Sequence, residues 1–437
     1  MLRIGFARRE IPARNGTPLI GYENCPGRRA EGTHDPLYAK ALALEAGGRR
    51  YGVVCCDLLA VDASMRARLA ARAKELGFAD GDVFLCAIHT HSAPGGCFTP
   101  DPRFGGLLEL VFGAPDGEFT ETVDDAAFGA LRAAADALRE GDVSAACVRA
   151  PGIGTDRNDP AKPGDPTLTV FRFRQKQGKT LLLYNTACHP TVLREDNRLV
   201  SADWPGETAR RLERDGYADM AMFLNGSAGD VSTRFTRAGE GFAETQRLGG
   251  LLAEQIAGAL PQLAPCGQTL ESFAFSEDLA VRRADPAAAQ RELAAAQAEF
   301  ARAKADGRTG TALRRVQASL EGASLGALYA RFQPAEETLP LEVRGLRIGE
   351  FALCFFPVEL FSALSNPLRA SFGQRAVPVS YADGYMGYLP DAAIAASDHY
   401  EKYTTVFGYG EGEKLLRRAH AALRDTLGGG AGQTAHR

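Results

Sequence analysis

An α/β class, with layered sheets flanked by helices and a helical hairpin inserted late in the chain, is predicted by three observations. Through the first two thirds of the 437 residues, apolar and β-branched runs alternate with amphipathic stretches of 3.6-residue period. Hydrophobic residues make up 45% of the chain and charged residues 24%, enough apolar material for a large core. Late in the chain, two long segments switch to strong helix formers. Alternating strands and helices of this kind place helices over sheet faces.

In chain order, strands are expected at residues 37–46, 51–60, 82–88, 167–174, 180–187 and 219–225, where apolar runs are bounded by turn-forming residues. Helical periodicity is clearest at 63–76, 126–139 and 205–215. Segments 287–305 and 312–331 are rich in Ala, Leu, Glu, Gln and Arg, and Gly307 breaks them apart. They predict a hairpin within an insertion over about 284–333, read as scaffold, with a partial cover over an active site as the alternative. Strands at 339–348 and 351–356 follow, and 414–427 reads as a final amphipathic helix. Residues 1–427 are expected to form one catalytic domain and 428–437 a disordered tail.

Fifty Lys+Arg against 54 Asp+Glu give a net charge of −4, and no basic block stands out. Electrostatics therefore argue against a nucleic-acid partner. No segment reaches the roughly 18 uninterrupted apolar residues of a membrane-spanning helix. The most apolar run, 351–364, is interrupted by Pro357 and Glu359. The N-terminal residues lack the apolar core of a secretory signal. Nine scattered cysteines, two of them adjacent at Cys55 and Cys56, read as reduced thiols, so a cytoplasmic location is expected. Oligomeric state is left open.

The residues that could carry chemistry sit where apolar strands end. Ile88-His89-Thr90-His91 follows one such run, and Ser92-Ala93-Pro94-Gly95-Gly96 then forces a turn. In an extended backbone residues i and i+2 project to the same side, so His89 and His91 are expected to address one site. Strand 180–187 ends in Cys188-His189-Pro190, and the proline should place His189 where the strand leaves the sheet. A single such histidine is usually structural; three at strand ends favour a metal, and neutral imidazoles suit zinc. Asp203, in Ser201-Ala202-Asp203-Trp204-Pro205-Gly206, is expected to cap a helix, with orientation of a ligand imidazole as the alternative. Small residues between Asn225 and Ser232 allow backbone amides to face a ligand. Glu359 follows the apolar Phe355-Phe356-Pro357-Val358, and a carboxylate buried there would need a partner such as a metal. Tyr385, Tyr388, Tyr400 and Tyr403 cluster between two turn-rich stretches, with packing and hydrogen bonding as their expected roles.

Taken together, these motifs resemble the neutral/alkaline non-lysosomal ceramidase family. The elements that match, in order, are the histidine pair with its Pro-Gly-Gly turn, Cys188-His189-Pro190, the segment 201–206, Gly229-Asp230-Val231-Ser232, and the Glu359 segment. Gly384-Tyr385-Met386-Gly387-Tyr388 and His399-Tyr400-Glu401 continue the likeness, which runs from about residue 3 to residue 427. It covers the family's N-terminal catalytic domain without the C-terminal immunoglobulin-like domain. The resemblance implies a catalytic Zn2+ held by His89, His189, Glu359 and Tyr388. His91 would stand beside the zinc water as proton carrier. Arg157 and Tyr400, twelve residues after Tyr388, would hold the substrate carbonyl, and Ser232 would act as nucleophile or substrate contact. Two positions depart from the family's usual pattern: Val358 replaces a glycine, and Thr233-Arg234 replace Pro-Asn after the serine. The implied activity is hydrolysis of an N-acyl amide in a lipid or small molecule, ceramide to sphingosine and fatty acid by default. Alternatives are a zinc hydrolase of a smaller soluble amide or ester, and a non-catalytic relative.

Overall fold

Two sheets and the helices between them bring distant strand ends to one place. The computed structural model describes residues 1–22, 27–99, 101, 103, 112–176 and 178–428. Apart from residue 428, the expected tail lies outside the described residues. The larger sheet contains β1 (Arg3–Ile11), β2 (Leu37–Ala46), β3 (Arg49–Cys56), β4 (Phe78–Ala87), β5 (Arg139–Arg149), β6 (Thr167–Gln175), β7 (Thr180–Thr186) and β8 (Met220–Asn225). Its order is β8-β7-β6-β5-β1-β2-β3-β4, with the short strand Ala264–Pro265 also pairing with β5. The outermost pairs, β7/β8 and β3/β4, are parallel, while those between are antiparallel. The second sheet, in the order given, is β9 (Leu270–Ala280), β10 (Thr338–Ile348), β11 (Phe351–Phe355) and β12 (Ala376–Val379), with β11 and β12 parallel.

A parallel pair needs a crossover, and each of these three is crossed by a helix. They are α1 (Ala63–Ala73) between β3 and β4, α3 (Asp203–Arg214) between β7 and β8, and α7 (Ser362–Ser371) between β11 and β12. Between α1 and α3 in sequence, α2 (Gly117–Asp136) packs on β1 and β2. The helix α4 (Gly241–Ala259) packs along α3. The periodicity at 126–139 catches only part of α2, because the chain turns into β5 at Arg139. Helix α4 is rich in glycine, which lowers its helical signal. Gly249 accounts for one of these glycines, because a Cβ there would lie 2.7 Å from Glu207 Cβ and 2.9 Å from Trp204 O.

The expected helical hairpin forms as α5 (Pro286–Ala305) and α6 (Gly310–Phe332), and α9 (Glu411–Gly428) closes the chain against β9 after the short α8 (Tyr400–Thr404). Among the described residues no helix is long and apolar enough to cross a membrane.

The large sheet curls until its two ends meet. Cys55 Sγ of β3 donates to Phe223 O of β8 at 3.2 Å. The chain leaving β12 then stitches the seam: Ser380 N–H donates to Asn225 O (3.0 Å), Asp383 N–H to Leu85 O (2.7 Å), and Ala87 N–H to Tyr381 O (3.0 Å). At the centre, the fully buried Asn225 side chain donates to Ile88 O (3.1 Å) and Cys188 O (3.3 Å) and accepts from Cys188 N (3.3 Å). Each of those carbonyls immediately precedes a histidine. One side chain thus ties the two strand ends at a fixed separation, since an unpaired amide group there would be costly.

Gly229 lies where the loop after β8 meets the segment after β11, its N–H donating to Leu360 O at 2.9 Å. A Cβ at this position would lie 2.5 Å from Glu359 O and 2.9 Å from Phe361 Cδ1. Backbone cannot yield as a side chain can, so Gly229→Ala is expected to lower unfolding free energy by about 1–3 kcal/mol. Denaturant titration checks this, and an unchanged midpoint would contradict it.

Candidate metal centre and active site

Three histidine rings meet at the seam, and their Nε2 atoms face inward. Each ring has its Nδ1 next to a backbone carbonyl: His89 with Leu59 O at 2.8 Å, His91 with Gly21 O at 2.8 Å, and His189 with Ala228 O at 2.6 Å. A carbonyl only accepts, so each Nδ1 carries a proton, and in its neutral form each ring presents an Nε2 lone pair to the site. The Nε2 atoms of His89 and His91 are 3.3 Å apart. One ligand atom from each of the three rings can be chosen so that all lie within 4.8 Å of one another. His89 reaches this position by a different route from the one expected. Its φ is 72°, so the backbone leaves the extended conformation after β4, and the rings converge through a turn instead of a shared strand face.

Glu359 projects into the same space. Its Oε2 lies 3.3 Å from His89 Nε2 and 3.1 Å from His189 Nε2, and the carboxylate and both rings are almost completely buried. Burial opposes its charge, but His89 and His189 outweigh burial and hold the carboxyl well below its usual range. Burial, followed by Arg157, lowers His189 to about 4. Burial, followed by the neighbouring His89 and His189, lowers His91 well below its ordinary value. At neutral pH, therefore, a carboxylate faces unprotonated His91 and His189. Three imidazole nitrogens and a carboxylate oxygen match the donor chemistry of zinc.

Phenols surround the carboxylate. Tyr385 OH donates to Glu359 Oε1, and Tyr381 OH donates to Oε2 at 3.3 Å. Tyr388 pairs with Glu359 through the short parallel strands Glu359–Leu360 and Tyr388–Leu389, and its ring meets Tyr400 edge-on at 5.8 Å. Arg157 lies over both rings, with Cζ 5.2 Å from the Tyr388 centroid and 5.9 Å from that of Tyr400. Its Nε donates to the buried Glu401 at 2.5 Å, and Nη1 comes within 3.4 Å of His189 Nε2. Among the described residues the buried Arg157 Nη2 has no hydrogen-bond partner. Ser232 bridges in parallel to His189, and its Oγ accepts from Arg234 N at 3.2 Å.

These groups, apart from Tyr381, line a cavity of about 690 Å³. Leu313, Arg314, Gln317, Ala318, Glu321, Leu325 and Tyr329 of α6 line it as well, so the inserted hairpin covers the site and is more than scaffold. Asp203 also differs from expectation. Ala202 occupies the N-cap position of α3, and its N–H and the Ser201 hydroxyl donate to Asp35. Asp203 instead accepts from Leu193 N (3.0 Å) and Trp204 N (2.6 Å), bracing the loop after His189.

Residues 3–241, more than half of the chain, match the family model described as neutral/alkaline non-lysosomal ceramidase, N-terminal. The chain belongs to this family. It is 25% identical over 239 residues to neutral ceramidase of Mycobacterium tuberculosis, covering 49% of this chain and 37% of that protein. Against neutral ceramidase of Drosophila melanogaster it is 25% identical over 264 residues, covering 53% and 36% respectively. The matched part spans little more than a third of the length of these curated relatives. The crystal structure of neutral ceramidase from Pseudomonas aeruginosa shares the fold with a TM-score of 0.74 at 21% identity, over 98% of this chain and 75% of that one.

All eight site residues expected from the sequence line this ceramidase-family cavity. Tyr385, expected to pack and hydrogen-bond, does so with Glu359, whereas Tyr381 and Glu401 join the site without having been singled out. Glu401 stands beside Tyr400 in the matching motif, but its partner Arg157 is 244 positions away. Asp203 and Asp230 are buried, and burial raises both carboxyls from 3.8 to about 7. The native chain therefore holds these protons more tightly than the unfolded chain, so each group removes stability as pH rises from about 4 to about 7. Asp230 accepts from Ser362 N (2.6 Å) and Ser362 Oγ (2.8 Å), and asparagine keeps an acceptor there. The stability of Asp230→Asn relative to the parent is expected to rise across that pH window in denaturant titrations. A flat difference would contradict the assignment.

Proposed function

We propose that this chain is a zinc-dependent hydrolase that cleaves an N-acyl amide bond. The observation that carries the reading is the set of inward Nε2 lone pairs beside the Glu359 carboxylate, in a cavity that also holds a buried guanidinium nitrogen with no hydrogen-bond partner among the described residues. His89, His189, Glu359 and Tyr388 would hold the metal. Zinc supplies a Lewis acid that polarises a carbonyl and lowers the pKa of water towards about 7.

The remaining steps fall to the protein. His91, with Nδ1 committed to Gly21 O, accepts the proton of the attacking water at Nε2 and returns it to the leaving amine. Arg157 Nη2 and the Tyr400 hydroxyl stabilise the negative charge that develops on the carbonyl oxygen. Glu401 holds the guanidinium in place through Nε. Ser232, buried beside His189, contacts the acyl group. The name neutral ceramidase carried by the relatives supports ceramide, cleaved to sphingosine and fatty acid, as the substrate. A smaller soluble amide is the second reading, favoured by the five arginines in the cavity lining.

Elemental analysis of protein purified without added metal is expected to find about one equivalent of zinc per chain. The double variant His89→Ala, His189→Ala should lose it, and unchanged zinc would rule this site out.

His91→Ala separates proton transfer from metal binding. Zinc is expected to remain while kcat falls by about 10²–10⁴, the usual contribution of general acid-base catalysis. Loss of the metal along with turnover would make His91 a ligand and remove it from the proton path.

A further inference from the structure

The cavity lining contains Arg157, Arg194, Arg234, Arg237 and Arg314. Three of these have carboxylate partners: Arg157 with Glu401 at 2.5 Å, Arg194 with Glu240 at 2.8 Å, and Arg314 with Glu321 at 2.8 Å. Of the other lining acids, Glu195 also pairs with Arg194, and Glu359 faces the imidazoles. Among the described residues Arg234 and Arg237 form no ion pair. Their side chains donate only to backbone carbonyls, Arg234 Nη1 to Arg157 O at 2.7 Å and Arg237 Nη1 to Thr191 O at 3.3 Å. A guanidinium has five donors, so most of theirs are left for another partner.

Their placement is next to the reacting groups. Arg234 donates its backbone N–H to Ser232 Oγ, and its guanidinium is anchored to the backbone of Arg157. Burial, then the like charges of Arg157 and Arg314, lower Arg234 to about 10 against the opposing charge of Glu401. Apolar Leu313, Ala318 and Leu325 of α6 line the same cavity, giving a pocket that is part cationic and part greasy.

We infer that the amide substrate carries an anionic group beside the scissile bond, held by Arg234 and Arg237. This rests on the reading of the site as an N-acyl amide hydrolase and, because ceramide carries no anionic group, favours a substrate other than ceramide. Planar guanidiniums recognise carboxylate and phosphate through paired hydrogen bonds, and half-buried charges gain more from such a partner than surface ones. The carboxylate of an N-acyl amino acid and the phosphate of a phosphorylated lipid headgroup share this chemistry.

Calorimetric binding to the full zinc-loaded chain, with N-lauroylglycine, N-lauroyl ethanolamine phosphate and neutral N-lauroylethanolamine, tests the inference. Hydrolysis of the same three compounds is measured alongside. At least one anionic compound should bind tenfold or more tightly than the neutral one, and its identity distinguishes carboxylate from phosphate. That ratio should fall at least threefold in Arg234→Gln and in Arg237→Gln, and Arg234→Lys should recover part of it. Equal binding of the three compounds would overturn the inference. A preference undiminished in both glutamine variants would do the same, placing the anion elsewhere. Hydrolysis of the neutral amide without any preference leaves the hydrolase reading standing and removes the anion site. Arginine-dependent anion binding with no amide cleaved does the reverse.

Discussion

Three imidazole lone pairs and a carboxylate packed together out of water form an arrangement that nothing local would stabilise. Lone pairs 3.3 Å apart repel, and desolvating a carboxylate costs several kcal/mol unless partners compensate. The protein meets this constraint by committing the other end of each group. Carbonyls at Leu59, Gly21 and Ala228 take the Nδ1 protons, and the phenols of Tyr381 and Tyr385 donate to Glu359. Those restraints fix tautomer and direction, which leaves the Nε2 face as the only place where the cluster can be relieved.

The sheets exist in the form they do because the restraints come from far apart in the chain. His89, His189 and Glu359 each follow the first or second strand of a parallel pair crossed by a helix, and such strand ends are where open α/β sheets gather ligands. Here three of these units share one crevice. Asn225 ties two of them, and the chain leaving β12 ties the third. Positive φ angles at His89, Tyr381 and Asp383 fall along this seam, strain that persists where surrounding bonds over-determine the backbone.

Around this rigid centre the cavity wall has a looser origin. Helix α6 comes from a hairpin whose composition is that of any solvent-exposed helix, yet one of its faces lines the cavity. The loop after Ser232 contributes arginines to the same wall. The centre and the wall thus answer to different constraints. Metal-site geometry depends on the sheet seam, whereas the charge and shape met by a substrate depend on elements that can vary without disturbing it.

By itself the sequence determined the alternation of strands and helices, the hairpin of α5 and α6, and the placing of His89, His189 and Glu359 at strand ends. Each of these is written in local periodicity and in the residue types that stop a strand. Strands such as β1 were illegible, because Arg8, Arg9 and Glu10 break its apolar run and only Ile4, Gly5 and Ile11 are buried. Helix α4 was hidden by its glycines, of which packing against α3 requires Gly249. Only the tertiary structure decided which carbonyl holds each imidazole, that Glu401 meets Arg157 across 244 residues, and that Arg234 and Arg237 form no ion pair among the described residues. Partners of that kind are set by how sheets curl and close, a non-local outcome that no window of sequence contains.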